Sequence, residues 1–147
     1  MGAREDFYLT KLEWLGPLLV RGLKLLTSVE ALGQEFSFSQ MMIILTLLRL
    51  NRTSMNRLAQ TLGLSRANAS GLVDRLVRKG LIERRRSEQD RRLVLIQLTS
   101  EGQRVAHHLA RQNRQGLRRM MKRIPEADLK VFIQTLEQLA LGLADSD

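Results

Sequence analysis

Two short amphipathic segments in the middle of the chain are each preceded by a serine and followed by a glycine. Ser54 and Ser65 can act as N-caps, because a serine hydroxyl accepts a hydrogen bond from a free amide of the first helical turn. Gly63 and Gly80 are suitable helix terminators, since glycine tolerates the left-handed backbone that often ends a helix. The sequence therefore predicts two helices joined by a tight turn, the helix-turn-helix arrangement.

After Gly80 the hydrophobic periodicity drops to two, which is typical of β-strands. Residues 81–84 and 92–98 are predicted to pair as a hairpin, with the polar segment 86–91 as its loop. Thr99 can then cap a following helix. This order of elements predicts a winged helix, in which the hairpin is the wing.

Longer helices flank this region on both sides. Apolar spacing predicts helices over about 7–32 and 40–50 before it, the second capped by Ser39, and over about 99–123 and 126–143 after it. The expected fold is therefore mainly α, with a winged helix-turn-helix lobe, a two-stranded wing, and additional N- and C-terminal helices.

The positive charge of the chain is concentrated in this middle region. The net charge is +9, and residues 49–92 hold twelve Lys and Arg against four Asp and Glu. Solvated charged faces usually mix both signs, whereas a surface that displaces counterions from a polyanion is one-sided. The charge distribution predicts binding to nucleic acid.

Composition excludes several other classes of protein. The chain of 147 residues has no cysteine, so disulfides, thiolate zinc sites and thiol redox sensing are excluded. Its apolar runs are far shorter than the roughly 20 residues that cross a bilayer. The N-terminus is unlike a signal peptide, and a cytoplasmic protein is expected. Adjacent His107 and His108 cannot jointly chelate a metal on a helix, and no metal or cofactor is expected.

Four stretches of sequence carry a family resemblance. They read LAQTLGLSRANASGLVDRL at 58–76, KGLIER at 79–84, DRR at 90–92 and LTSEG at 98–102. Each alone is common, but together and in this order they resemble the MarR family of transcriptional regulators. The resemblance implies a dimeric winged-helix repressor that binds duplex DNA.

The second helix of the helix-turn-helix separates into two faces. Its apolar, inward face is formed by Ala69, Leu72, Val73 and Leu76. Its opposite face carries Ala67, Ser70, Gly71, Asp74, Arg75 and Arg78. The small residues of that face would let the helix approach the floor of a major groove. Asp74 and Arg78, four residues apart, are expected to pair on the surface.

The N-terminal end of this helix enters the groove first in helix-turn-helix docking. Arg66 and Asn68 are the best candidates for base contacts, because Arg pairs with guanine and Asn with adenine. For Ser65, capping and DNA contact remain equally open. Many relatives carry a basic residue where this chain has Gly71, so the base preference does not carry over.

The wing is the second predicted contact with DNA. The family resemblance implies that Arg92 enters the minor groove and that Asp90 braces it, and a narrow minor groove attracts arginine. A solvated arginine-rich hairpin is the alternative. Ser54 is expected near a phosphate, because helix N-termini favour anions. The complete set of candidate DNA contacts is Ser54, Ser65, Arg66, Asn68, Ser70, Arg75, Arg84, Arg86, Asp90, Arg91 and Arg92.

The terminal helices carry apolar stripes that a small winged-helix core cannot cover. Burial against a second copy is the simplest explanation, although such stripes could also be internal core. We expect residues 1–35 and 100–147 to form a helical dimerisation region and residues 36–99 the DNA-binding lobe. The resemblance also implies a small aromatic or anionic effector. The candidates for its site are Trp14, Arg21, Phe38 and Met41, for which a place in the core is the alternative.

The expected function is a sequence-specific regulator of transcription. We expect a repressor that binds a pseudo-palindromic operator in double-stranded DNA as a homodimer and is released by a small-molecule effector. No catalytic triad, phosphate-binding loop or carboxylate pair indicates an enzyme. A nucleoid-type protein that binds DNA without sequence preference is the main alternative, and a protein-interaction module is a third.

Overall fold

The computed structural model describes the backbone of residues 2–26 and 36–144 and the side chains of residues 5–20 and 36–142. These residues form six helices and a three-stranded sheet. The elements are α1 (Gly2–Leu26), α2 (Phe38–Leu50), β1 (Arg52–Ser54), α3 (Met55–Thr61), α4 (Arg66–Arg78), β2 (Ile82–Arg86), β3 (Val94–Leu98), α5 (Ser100–Met121) and α6 (Glu126–Ala144). The chain divides into two compact units, residues 1–113 and residues 114–147. The mainly helical, winged-helix fold is confirmed.

The two helices of the helix-turn-helix begin at the serine caps that the sequence predicts. The hydroxyl of Ser54 accepts from the Arg57 amide at 3.3 Å, and that of Ser65 accepts from the Asn68 amide at 3.2 Å. Gly63 ends α3 in the left-handed region, with φ of +60°. The turn between α3 and α4 is therefore fixed by the residues that predicted it.

Helix α2 begins earlier than predicted, because its cap is Ser37 and not Ser39. The Ser37 hydroxyl accepts from the Gln40 amide at 3.2 Å, and the Gln40 side chain accepts from the Ser37 amide at 3.0 Å. This reciprocal pair is a capping box. A cap at Ser39 would place Met42 at the position of Gln40, and the Met42 side chain is too weak an acceptor to complete a capping box.

The core of the first unit lies between α2, α4, the sheet and the first half of α5. The inward face of α4 is confirmed, since Ala69, Val73 and Leu76 are fully buried and Leu72 packs at the edge. Their partners include Ile43, Ile44, Leu47, Leu58, Leu81, Ile96 and Leu109. This packing holds the opposite face of α4 toward solvent.

The sheet contains one strand that the sequence did not predict. Strand β1 pairs antiparallel with β3, placing Thr53 opposite Ile96, and β2 pairs with the other side of β3. The wing strands β2 and β3 begin one and two residues later than predicted. They leave residues 87–93 as the tip of the wing.

Thr99 joins the end of α4 to the start of α5. Its hydroxyl donates to the Gly80 carbonyl at 2.6 Å and accepts from the Gly102 amide at 3.0 Å, and its own amide donates to the Leu81 carbonyl at 3.0 Å. A Cβ at Gly102 would collide with that same Leu81 carbonyl oxygen. The predicted Thr99 cap is confirmed, and Gly102 permits the close approach.

The two terminal helices expose most of their apolar residues. Helix α1 continues through Pro17, and the end predicted for it near residue 32 lies outside the described residues. Its side chains from Phe7 to Val20 are largely exposed, and in the second unit α6 exposes Phe132, Leu136 and other apolar residues. Among the described residues, no helix is both long and apolar enough to cross a membrane.

Candidate nucleic-acid interface

The N-terminal end of α4 projects its polar side chains into solvent. Arg66, Asn68 and Arg75 are exposed, and Ser70 is half-buried. These residue types can donate to phosphates and to base edges. The outward face of α4 therefore has the exposure and the chemistry expected of a recognition helix.

An ion pair connects α4 to the wing. Asp74 Oδ1 accepts from Arg84 on β2 at 2.6 Å, so the expected partner Arg78 is wrong. The antiparallel wing folds back beside α4 and brings Arg84 closer than the next helical turn brings Arg78. Both side chains are about two-fifths exposed, so the pair contributes under about 1 kcal/mol to folding stability.

Successive arginines of β2 belong to opposite faces of the wing, because side chains alternate along a strand. Arg84 faces α4 through Asp74, and Arg86 shares that face. Arg85 lies on the other face, where its Nε donates to Glu83 Oε1 at 2.9 Å. Arg85 is thus held away from the face that carries the predicted contacts.

Glu83 accepts two hydrogen bonds on that outer face of the wing. Gln97, its cross-strand partner, donates to the same Oε1 at 2.7 Å, and Arg85 adds the second bond. The Gln97 hydrogen bond, followed by that of Arg85, lowers the pKa of Glu83 below its usual value. Glu83 therefore stays ionised and keeps Arg85 on the outer face.

The wing tip is ordered by its own polar side chains. Asp90 Oδ1 accepts from the backbone amide of Arg92 at 3.0 Å, and the Ser87 hydroxyl accepts from the amides of Gln89 and Asp90. Asp90 therefore bonds to the main chain of Arg92, which leaves the Arg92 guanidinium without an ion pair among the described residues. Arg91 is also exposed.

Helix α4, the start of α3 and the wing surround one cleft of about 420 Å³. Five of the predicted contacts line it, namely Ser54, Arg66, Ser70, Arg84 and Arg92. The lining includes three arginines and no acidic residue, so the cleft is positive even though Arg84 is paired with Asp74. The other six lie outside this lining: Ser65, Asn68, Arg75, Arg86, Asp90 and Arg91.

Asn56 also lines the cleft and is not among the residues predicted from the sequence. It occupies the first turn of α3, two residues after the Ser54 cap. An exposed amide at the start of the first helix of a helix-turn-helix was the available signal, since such positions lie close to phosphates.

The candidate effector residues differ widely in exposure. Trp14 in α1 is 68% exposed and Phe38 at the start of α2 is 41% exposed, whereas Met41 is 2% exposed and packs in the core. Met41 thus has the core position that was its alternative, and a role for it in an effector site stays a prediction. The side chain of Arg21 lies outside the described residues.

The fold and the site together define a winged helix-turn-helix protein with an exposed basic surface on α4 and the wing. The family model of the MarR family matches residues 35–93. An uncharacterized HTH-type transcriptional regulator, YfiV of Bacillus subtilis (strain 168), is 27% identical over 130 residues, which cover 84% of this chain and 81% of that protein.

Two further comparisons cover about a third of the chain and nearly the whole chain. The transcriptional repressor MprA of Escherichia coli (strain K12) is 47% identical over 47 residues, which cover 32% of this chain and 27% of MprA. Streptococcus pneumoniae FabT, solved in complex with DNA, has a TM-score of 0.80 and 24% identity, covering 95% of this chain and 99% of FabT. Residues 35–93 therefore resemble the MarR family, and the fold of the chain is similar to that of a protein solved in complex with DNA.

Proposed function

We propose that this chain is a homodimeric repressor that places α4 in the major groove and the wing in the adjacent minor groove of an operator. The observation that carries the proposal is the basic cleft, which is lined by both Arg66 of α4 and Arg92 of the wing tip. If the DNA backbone that separates two adjacent grooves lies between these two residues, a single lobe can contact both grooves.

The eleven candidate residues divide into reading and holding roles. Arg66 and Asn68, exposed at the start of α4, are proposed to contact base edges. Arg92 is proposed to enter the minor groove, while Asp90 fixes its backbone. Ser54, Ser65, Ser70, Arg75, Arg84, Arg86 and Arg91 are proposed to contact phosphates or to orient those three residues.

The dimer is supported by the apolar residues of α1 and α6. Each helix exposes many large apolar side chains, which a monomeric protein rarely leaves in solvent together, and a second copy is the simplest cover. Residues 1–35 and 100–147 are accordingly proposed as the dimerisation region, with 36–99 as the DNA-binding lobe. Two-fold symmetry would then require an inverted-repeat operator with half-sites about 34–36 Å apart.

Repression is proposed because MprA, which is 47% identical over 47 residues, is a transcriptional repressor. A nucleoid-type protein is the competing function. Selection of bound fragments from a random DNA pool separates the two functions, since a repressor enriches an inverted repeat. A pool that shows no enrichment would contradict the repressor.

The wing assignment is tested on the selected DNA with two variants of neighbouring arginines. Arg92→Ala should weaken binding by about 5- to 150-fold at fixed salt, because a base or groove contact contributes roughly 1–3 kcal/mol. Arg85→Ala is the matched control, since Glu83 holds Arg85 on the other face. Equal effects of the two substitutions would reject the geometry.

Release by a small aromatic or anionic effector is a second proposal, supported by the exposed Trp14 and Phe38. Trp14 is the only tryptophan of the chain, so its fluorescence reports binding without a label. Titration with small aromatic acids should change that emission and lower affinity for the selected DNA. Compounds that change neither would leave no role for these residues in an effector site.

A further inference from the structure

The second unit carries a cluster of positive charge that the winged-helix lobe does not include. Between Glu101 and Glu126 the sequence contains no acidic residue. Five basic residues fall within residues 114–123, and all five are exposed: Arg114, Arg118, Arg119, Lys122 and Arg123. None of them makes an ion pair with a described residue. We call these five residues the α5 ridge.

Three members of the ridge share one side of α5 and the turn that follows it. Arg114, Arg118 and Lys122 are spaced four residues apart, which keeps them on one face over about 12 Å at a rise of about 1.5 Å per residue. Like charges at this spacing repel one another and destabilise the helix. Favourable contact of Arg118 and Arg119 with the helix C-terminus offsets this repulsion only in the last turn. Helix stability therefore does not explain the whole ridge.

We propose that the α5 ridge binds the phosphate backbone of duplex DNA without sequence preference, as a contact additional to that of the winged-helix lobe. Duplex DNA carries one charge per about 1.7 Å, so a ridge of about 12 Å runs beside roughly seven phosphates. Four of the five ridge residues are arginine, whose planar guanidinium matches phosphate oxygens.

An anionic membrane surface fits the ridge less well. Helices that bind membrane surfaces combine basic residues with Trp, Phe or Leu that enter the lipid. Viewed along the axis of α5, Arg114, Arg118, Lys122 and Arg119 span one arc of the helix surface. Within residues 114–123, that arc also includes Gln115 and no apolar residue. A helix with this arc would contact lipid through charge alone.

The test measures binding of the full chain to a random-sequence duplex across a range of salt concentrations. The variant R114Q/R118Q/K122Q should reduce the slope of log affinity against log salt by about 2.7 per chain, because each phosphate contact contributes about 0.9. The control variant K11Q/R104Q/K130Q removes the same charge from exposed positions elsewhere and should leave the slope nearly unchanged. Equal slopes for the two variants would overturn the proposal.

A charge-conserving variant shows whether the effect comes from charge or from structure. R114K/R118K should keep the wild-type slope, and the triple glutamine variant should keep the wild-type melting temperature and sedimentation. If the lysine variant behaves like the glutamine variant, or if sedimentation shows loss of a dimer, the ridge is structural and the proposal fails. Binding to phosphatidylglycerol vesicles that the triple variant loses, with an unchanged DNA slope, would instead assign the ridge to membranes.

The ridge and the proposed repressor can fail separately. In the Arg92→Ala background the ridge should still supply its share of the salt slope on random DNA. Failure of the repressor would instead appear as a random pool without enrichment, whatever the slope. If the ridge substitutions change the salt slope only when Arg92 is intact, the ridge is not an independent contact with DNA.

Discussion

The winged-helix lobe and the terminal helices of this chain differ in how far they bury their apolar residues. In the lobe, α4 buries Val73 and Leu76 completely and turns its polar face outward. In α1 and α6 comparable residues, such as Leu12 and Leu136, remain largely exposed in the single chain. The lobe therefore closes its own core, whereas the terminal helices leave apolar side chains exposed that the proposed dimer would cover. In that proposal, DNA recognition and assembly belong to different parts of the sequence.

The largest expected effects come from truncating one leucine in each region. Leu76→Ala should lower the free energy of unfolding by about 2–5 kcal/mol, because it leaves a cavity in a closed core. That loss should not depend on protein concentration. Leu136→Ala should lower the melting temperature by an amount that grows on dilution, because the stability of a dimer depends on concentration.

Thermal melts at several protein concentrations, from low to high micromolar, check this pair of variants. A concentration-dependent loss for Leu76→Ala would mean that the lobe also depends on a second copy. A concentration-independent loss for Leu136→Ala would mean that α6 packs within its own chain, and the contrast between the regions would disappear.

Two glycines of the lobe provide the next comparison. Gly102→Ala should lower the free energy of unfolding by about 1–3 kcal/mol, since its Cβ would collide with the Leu81 carbonyl and force the start of α5 away. Gly71→Ala should instead raise it by about 0.5–1 kcal/mol, because Gly71 lies inside α4 with open space around its Cα. Chemical denaturation measures both changes. Opposite signs are required, and a neutral Gly102→Ala would disprove the close approach.

Sequence reasoning succeeded where a local rule decides the structure. The inward stripe of α4 follows from helical periodicity, and Ser65 forms a cap with an amide three residues away. Sequence reasoning failed where a residue far away along the chain decides the local structure. Strand β1, residues 52–54, is too short to show a period and exists because β3 pairs with it. The four-residue spacing on the helix likewise predicted an ion pair between Asp74 and Arg78, but the partner of Asp74 is Arg84 on the wing.

The candidate site shows the same division. The residue types that line the cleft were predictable from their charge and their place at the N-terminal ends of helices. Their convergence was not, because it depends on how the wing folds back beside α4. Asn56 was missed for that reason, since only the cleft groups it with Arg66 and Arg92.

A smaller effect is expected from the ion pair that joins the two halves of the interface. Asp74→Ala should change the free energy of unfolding by less than about 1 kcal/mol, because both side chains are well exposed. It should nevertheless weaken binding to the selected DNA, since Arg84 loses the carboxylate that orients it. Arg78→Ala is a control from the same face of α4. If Asp74→Ala leaves DNA affinity unchanged, the pair does not position the wing.

The smallest effect concerns pH and the outer face of the wing. Hydrogen bonds from Gln97 and Arg85 lower the pKa of Glu83 in the folded chain, so the ionised carboxylate stabilises the wing above the pKa it has when unfolded. That contribution is lost as pH falls through the lowered pKa. Glu83→Gln should therefore differ from the wild type in denaturation midpoint at about pH 7, and the difference should shrink toward about pH 3. A difference that stays constant across this range would show that Glu83 acts through its shape and not its charge. Because this network lies opposite the cleft, affinity for the selected DNA should stay the same in Glu83→Gln, as in Arg85→Ala.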